Sequence, residues 1–324
     1  MDKFQKNLTH EQLYNIIEET LRIMKKQKVS RSDLKIIAFA IRELNDTFKV
    51  FSPYQNKRKV TVFGSARMHR SDPSYNQALK FSREMVRQGY MVLTGAGGGI
   101  MHAAQEGAGS HKSFGLNINL PFEQGANPVI KGNTKLVTFK YFFTRKLTMV
   151  KESDALVLFP GGFGTHDELF EMLTLLHTGK SAPKPVVCVD EKNGTYWKKW
   201  KQFSLDYLIE RKLISKEDAN FVHFTDSFED AVSHITRFYS NYHSMRTYEK
   251  WLLIRLRRAP SPDELKKITQ KFKVLLTLGK IQSTPTHVAT EPELMSLGLK
   301  TLRLCFNQKS FGKLRALVDT LNEY

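Results

Sequence analysis

Residues 154–175, DALVLFPGGFGTHDELFEMLTL, leave a chain few ways to fold. Ala155 to Phe159 is a short, nearly continuous apolar run, the pattern of a strand buried on both faces of a parallel sheet. Pro160, Gly161, Gly162 and Gly164 interrupt it. Leu169, Phe170, Met172, Leu173 and Leu176 then recur at helical spacing, preceded by Thr165 and Asp167, whose side-chain oxygens are of the kind that cap a helix start. The spacing predicts a strand, a glycine-rich turn and a helix N-terminus. Backbone N–H groups without an intrahelical partner point out of such an end, and the helix dipole favours negative charge there. Glycine lets the backbone approach an anion closely, so this turn is expected to cradle a phosphate.

Asp167 and Glu168 are expected on the first turn of that helix. Acids there can serve the dipole alone. Beside a bound phosphate, however, they repel it unless they face another part of the ligand. A nucleotide has such a part in its ribose, whose hydroxyls donate hydrogen bonds and whose C1′ becomes positive as the glycosidic bond breaks.

The rest of the chain repeats the strand–turn–helix pattern. Thr9 and Gln12 resemble a capping box ahead of an amphipathic helix over 8–28, and a second helix starts near Ser30 or Ser32. The two are expected to form a helical hairpin against the core or a partner subunit. Val60 to Gly64 reads as the first strand, followed by Ser65. Asp72-Pro73 begins a helix that stops at Gly89, and Tyr90 to Thr94 is the second strand. Gly95-Ala96-Gly97-Gly98-Gly99 then opens a helix over Ile100 to Ala108. Neither G-x-G-x-x-G nor a P-loop can be placed on that run, so it reads as a second close approach of backbone to ligand. Further strands are expected at 114–120, 136–143, 185–189 and 221–224, with helices at 144–153 and 228–239 and an aromatic-rich one, packed in the core, beginning at Tyr196. The expected fold is α/β, a Rossmann-like doubly wound parallel sheet. Ligands bind outside the carboxyl ends of such strands, where the glycine clusters fall. Beyond it, Tyr248 to Arg258 reads as a basic amphipathic helix, Pro262 as the start of another, and 297–306 and 311–321 as helical, with a loop at 283–286. The domain organisation is thus 1–57, an N-terminal helical extension, 58–242, the nucleotide-binding domain, and 243–324, a basic helical C-terminal appendix.

Several ordered motifs carry a family resemblance over roughly 58–240. Pro160-Gly161-Gly162-Phe163-Gly164-Thr165-His166-Asp167-Glu168 resembles the PGGxGTxxE signature of the "Lonely guy" (LOG) family. The resemblance includes Val62-Phe63-Gly64-Ser65, the run Thr94 to Met101, Gly115-Leu116-Asn117-Ile118, Leu120-Pro121-Phe122-Glu123-Gln124 and Arg145-Lys146. These are nucleoside 5′-monophosphate phosphoribohydrolases, long labelled lysine decarboxylases. The resemblance implies hydrolysis of the N-glycosidic bond of a nucleoside 5′-monophosphate, AMP-like or a cytokinin riboside monophosphate. Glu168 and Arg145 carry over as catalytic residues. Gly64, Ser65, Gly95, Gly97, Gly98, Gly99, Met101, Lys146, Pro160, Gly161, Gly162, Gly164 and Thr165 carry over as substrate- and phosphate-binding. It implies no cofactor and no metal, and a homodimer or higher homo-oligomer. Position 96 is Ala where relatives often carry Gly, His102 stands where many carry Glu, and His166 where Leu is usual. The two histidines bear on base preference and on the pH profile.

The net charge of +18 is uneven. Residues 1–59 carry 13 basic against 7 acidic side chains, 245–324 carry 15 against 7, and the middle 22 against 18. Basic flanks leave nucleic acid open as a partner. No apolar run approaches 18 residues, the start Met1-Asp2-Lys3-Phe4 lacks a secretory apolar segment, and the only cysteines, Cys188 and Cys305, stand apart in apolar contexts. A cytoplasmic protein is expected. Two other functions stay open: a nucleotide sensor that keeps the cradle without turnover, and a nucleic-acid-associated protein.

Overall fold

The computed structural model describes residues 8–121, 125–284 and 297–324. Phe122-Glu123-Gln124, within one motif of the resemblance, lie outside them, as do Met1 to Lys3, Phe4, Pro285 and Thr286. The chain runs α1 (His10–Lys26), α2 (Arg31–Phe51), β1 (Lys59–Phe63), α3 (Pro73–Arg87), β2 (Met91–Thr94), α4 (Gly99–Ala108), β3 (Ser113–Ile118) and β4 (Leu136–Phe139). It continues through α5 (Phe142–Glu152), β5 (Ala155–Leu158), α6 (Phe163–His177), β6 (Val186–Val189), α7 (Tyr196–Lys201), α8 (Tyr207–Glu210), β7 (Val222–Thr225) and α9 (Phe228–Phe238). The last part is β8 (Tyr242–Tyr248), β9 (Trp251–Leu256), α10 (Pro262–Lys271), β10 (Leu276–Thr284), β11 (Lys300–Phe306) and α11 (Phe311–Leu321).

Seven strands form one parallel sheet in the order β4-β3-β2-β1-β5-β6-β7. The apolar runs of β1, β2, β5 and β6 are buried throughout, as strands covered on both faces must be. The order reverses between β1 and β5, which pair from Val60↔Ala155 to Phe63↔Leu158. A doubly wound sheet opens a crevice at such a reversal, outside the strand carboxyl ends. The doubly wound expectation therefore holds, and it places the turns after β1 and β5 side by side. The Ser65 N–H donates to the Pro160 carbonyl at 3.0 Å across that gap.

The helical appendix is a correction. Residues 242–306 hold a four-stranded antiparallel sheet, β10-β11-β9-β8, backed by α10 and α11. Tyr248 to Arg258 is the end of one hairpin strand and the whole of the next, turning at Glu249 (φ 50°) and Lys250, and 297–306 is mostly β11. The helix starting at Pro262 and the one at 311–321 stand as expected. The strands escape notice because WLLIRL is nearly continuous in apolar residues, which suits a helix or a covered strand equally. Its two-residue turn also lacks the Asn-Gly type of signal. Of the loop expected at 283–286, Ser283 and Thr284 end β10 instead.

The appendix shares a core with the main sheet: Leu252, Ile254, Leu302 and Leu314 join Val60, Val157 and Ile235 in one apolar cluster. Arg315 fastens the joint. Only 2% exposed, its guanidinium donates to Asp319, to the Lys184 carbonyl and to His234 Nε2. Burial, with His223 and Arg315 nearby, holds His234 down at about 3, in the neutral form that can accept.

At the other end, α1 begins with the expected capping box between Thr9 and Gln12 but has no buried residue, so it does not pack on the core. Only the last turns of α2 are buried, through Glu43, Thr47 and Phe51. No helix among the described residues is long and apolar enough to cross a membrane.

Candidate active site

A cavity of about 880 Å³ opens at the reversal of the sheet. Gly64 and Ser65 line it from the turn after β1, Gly95 and Gly97 from the turn after β2, and Met101 from α4. Gly162, Gly164, Thr165 and Glu168 line it from the turn after β5 and from α6, and Arg145 from α5. These ten of the expected site residues come together although they span more than 100 positions in sequence. Gly98, Gly99, Pro160, Gly161 and Lys146 do not line the cavity. Phe63, Ala66, Arg67, Ile118, Leu120, Phe142, Phe163 and Asp167 do, and sequence patterns singled out none of them except Asp167 as cavity-facing.

Steric contacts explain the glycines. A Cβ at Gly161 would lie 2.1 Å from Thr165 Oγ1, and one at Gly95 2.4 Å from Arg145 Nη2, so the Thr165 hydroxyl and the Arg145 guanidinium occupy the space of missing side chains. Arg145 Nε also donates to the Leu116 carbonyl at 2.9 Å. Gly162 is the N-cap of α6 and no side chain caps that end. Thr165 and Asp167 are therefore not caps, contrary to expectation, and the amides of Phe163 and Gly164 stay open to a ligand at the positive end of the helix dipole.

Because α6 begins at Phe163, Asp167 and Glu168 fall on its second turn, not its first. Glu168 is 7% exposed. Burial raises its carboxyl pKa, while the charges of Lys146 and Arg145 pull it back. Lys146 Nζ lies 3.3 Å from Glu168, 3.1 Å from Asp167 and 2.7 Å from Glu171. Burial alone would lower that ammonium, but the bond to Glu171 and the other carboxylates outweigh it and raise its pKa. Lys146 is thus a counter-ion to a carboxylate cluster, where the family resemblance implies a substrate- or phosphate-binding residue.

Three supports went unread in the sequence. Asn127 Nδ2 donates to the Ala96 and Gly97 carbonyls and to Gln105, pinning the turn after β2, where Ala96 takes φ 64°. Glu43 of α2 accepts from the Lys140 N–H at 2.7 Å and from the Thr144 hydroxyl, which holds the start of α5 and so Arg145. Tyr196 of α7 donates to the Gly161 carbonyl and meets His166 Nε2 at 2.7 Å. A polar residue in a loop or an amphipathic helix gives no sign of a partner so far away. His102 lies outside the cavity lining, 3.4 Å from the Tyr75 hydroxyl.

Residues 100–235, which include Arg145 and the whole PGGFGTHDE string, match a family described as possible lysine decarboxylase. Over 128 residues the chain is 29% identical to the cytokinin riboside 5′-monophosphate phosphoribohydrolase LOG of Oryza sativa subsp. japonica, covering 38% of this chain and 51% of that protein. A second protein of that organism, named as a probable enzyme of the same activity, is 30% identical over 123 residues, 36% of this chain and 48% of its own. The chain spans about half the length of the curated relatives it matches. Among solved structures, the molybdenum cofactor carrier protein of Chlamydomonas reinhardtii is 19% identical, with 56% of this chain and 97% of that one covered at a TM-score of 0.40.

Proposed function

From the premise that its central domain is a relative of the LOG family, we propose that the protein hydrolyses the N-glycosidic bond of a nucleoside 5′-monophosphate. The observation that carries this is the meeting of Glu168, Arg145 and three glycine turns on one cavity at the sheet reversal. The 5′-phosphate sits against the open amides of Gly162, Phe163 and Gly164, with Thr165 and Ser65 beside it. Anchoring that end fixes where C1′ lies relative to Glu168. As the bond from C1′ to the base nitrogen breaks, the pair of electrons leaves with the base and the sugar becomes an oxocarbenium-like cation. The Glu168 carboxylate accepts from the ribose hydroxyls and stabilises that charge. Water adds its oxygen to C1′, keeping one proton as the new anomeric hydroxyl while the other passes to the departing base nitrogen, giving free base and ribose 5-phosphate. Arg145 grips phosphate or sugar oxygens through its planar fork. The exposed apolar residues of α1 and α2, among them Leu13, Ile16, Ile17, Phe39 and Phe48, support a homo-oligomer.

The test is incubation of the full chain with AMP, GMP, CMP, UMP and IMP, followed by chromatography for free base and ribose 5-phosphate. Release from at least one supports the hydrolase. If none is cleaved while AMP raises the melting temperature, the protein is a nucleotide sensor instead.

Lys146→Met probes the carboxylate cluster. It removes a cation that opposes burial at Glu168, so the carboxyl pKa rises further and the acidic limb of kcat/KM moves to higher pH. The loss relative to wild type should be larger on the acidic side of the profile than on the basic side, because raising the pH returns the carboxylate to its ionised form. Equal losses at both would mean that Lys146 does not act through Glu168.

A further inference from the structure

The phosphate turn contains two adjacent glycines, Gly161 and Gly162, whose shared peptide meets little steric resistance to flipping. Its two ends do opposite things. In a planar trans peptide the Gly161 carbonyl and the Gly162 N–H point in opposite directions. Gly162 lines the cavity, and the Gly161 carbonyl accepts from the Tyr196 hydroxyl, a group outside the cavity lining. That hydroxyl therefore holds the peptide with its N–H turned away from Tyr196.

Tyr196 is held in turn. A phenol has one proton, and the Gly161 carbonyl can only accept, so that proton is committed. At the 2.7 Å contact between Tyr196 and His166 the ring nitrogen must then donate. This assigns the Nε2–H tautomer to neutral His166 and leaves Nδ1 a bare, buried acceptor, which indeed has no partner. Protonation would place a second N–H at that unpartnered site, and burial lowers the His166 pKa accordingly. The imidazole is stacked nearly parallel to Tyr196 (17°) and Trp200 (10°), with Trp197 edge-on at 5.9 Å, so it is kept at that orientation.

We propose that Tyr196, held by His166, is a positioning residue that fixes the Gly161–Gly162 peptide with its N–H toward the phosphate. It rests on the hydrolase reading for the identity of the ligand, and adds that recognition of the 5′-phosphate is set from α7, beyond β6. Tyr196 touches no substrate. It acts through the turn, and so on groups that carry the phosphate rather than on those that carry only base and sugar.

The experiment compares wild type with Tyr196→Phe, His166→Leu and His166→Gln, using AMP and adenosine as probes. Tyr196→Phe should raise KM for AMP about 10-fold or more, as loss of one oriented donor to a charged group does, with kcat within about threefold. The Kd for adenosine should not change. His166→Leu should weaken AMP in the same sense but less, and His166→Gln, whose amide can donate to the Tyr196 hydroxyl, should restore it. Unchanged KM for AMP in both Tyr196→Phe and His166→Leu, with only a lower melting temperature, would overturn the proposal. So would equal weakening of AMP and adenosine. Should Tyr196→Phe not fold, the contrast between the two His166 variants decides. Should wild type release no base, the hydrolase reading fails on its own, and calorimetric Kd values for AMP against adenosine still test the role of Tyr196.

Discussion

Glu168→Gln should slow base release by roughly 10²–10³ or more while leaving AMP affinity within a few-fold. The amide has the size of the carboxylate and still reaches ribose hydroxyls, so ground-state contacts largely survive. The negative charge does not, and only the transition state needs it. Burial raises the Glu168 carboxyl pKa, meaning that the fold disfavours its ionised form in the absence of a positive ligand. In the proposed reaction the developing oxocarbenium supplies that missing charge. The same circumstance gives the variant a second signature. Lys146 keeps Asp167 and Glu171 as partners when Glu168 is neutralised, so no cation is orphaned. The melting temperature of Glu168→Gln should therefore equal or exceed that of wild type. Loss of rate together with undiminished stability would identify Glu168 as a group spent on catalysis; a variant that keeps the wild-type rate would remove it from the mechanism.

Gly99→Ala should act on the fold. Gly99 opens α4 at φ +57°, in the left-handed region, where an L side chain costs about 1 kcal/mol or more. A Cβ there would also lie 2.1 Å from the Ser65 carbonyl oxygen and 2.6 Å from the Ala66 carbonyl carbon, both backbone atoms. Neither can swing aside, and the Ser65 carbonyl already accepts from the Ile100 N–H at 3.0 Å. Relief requires the turn after β1 to move away from α4. We expect a loss on the order of 3 kcal/mol, seen as a melting temperature lower by about 5–10 °C. AMP should bind more weakly as well, since Ser65 moves with the turn. Gly162→Ala is the control: nothing lies within 4 Å of its Cβ position and its φ of −89° suits any residue, so its melting temperature should match wild type. Wild-type stability in Gly99→Ala would show that the turn yields freely.

What could be read in the chain was local. The run from Asp154 to Leu175 carries its own strand, break and helix, because burial on two faces demands continuous apolar residues and glycines are needed where backbone nears other groups. The order of such units implied a doubly wound sheet, and hence that Ser65, Gly97 and Gly162 would meet. Positions within α6 were less legible: Thr165 looked like a cap, but its hydroxyl is packed against Gly161, and the helix begins two residues earlier.

The sequence by itself determined the α/β class and the strand, glycine turn and helix around Pro160, since each rests on residues near one another, while attention to Arg145 and Glu168 came from a family resemblance of fixed spacing. Tertiary structure alone decided the sheet in the appendix, the three carboxylates around Lys146, the grip of Glu43 on α5 and the hold of Tyr196 on Gly161. In each of those cases the partner lies far along the chain or the local pattern suits two structures equally. Pairing across such distances is chosen by the free energy of the whole packed core, to which no short segment has access.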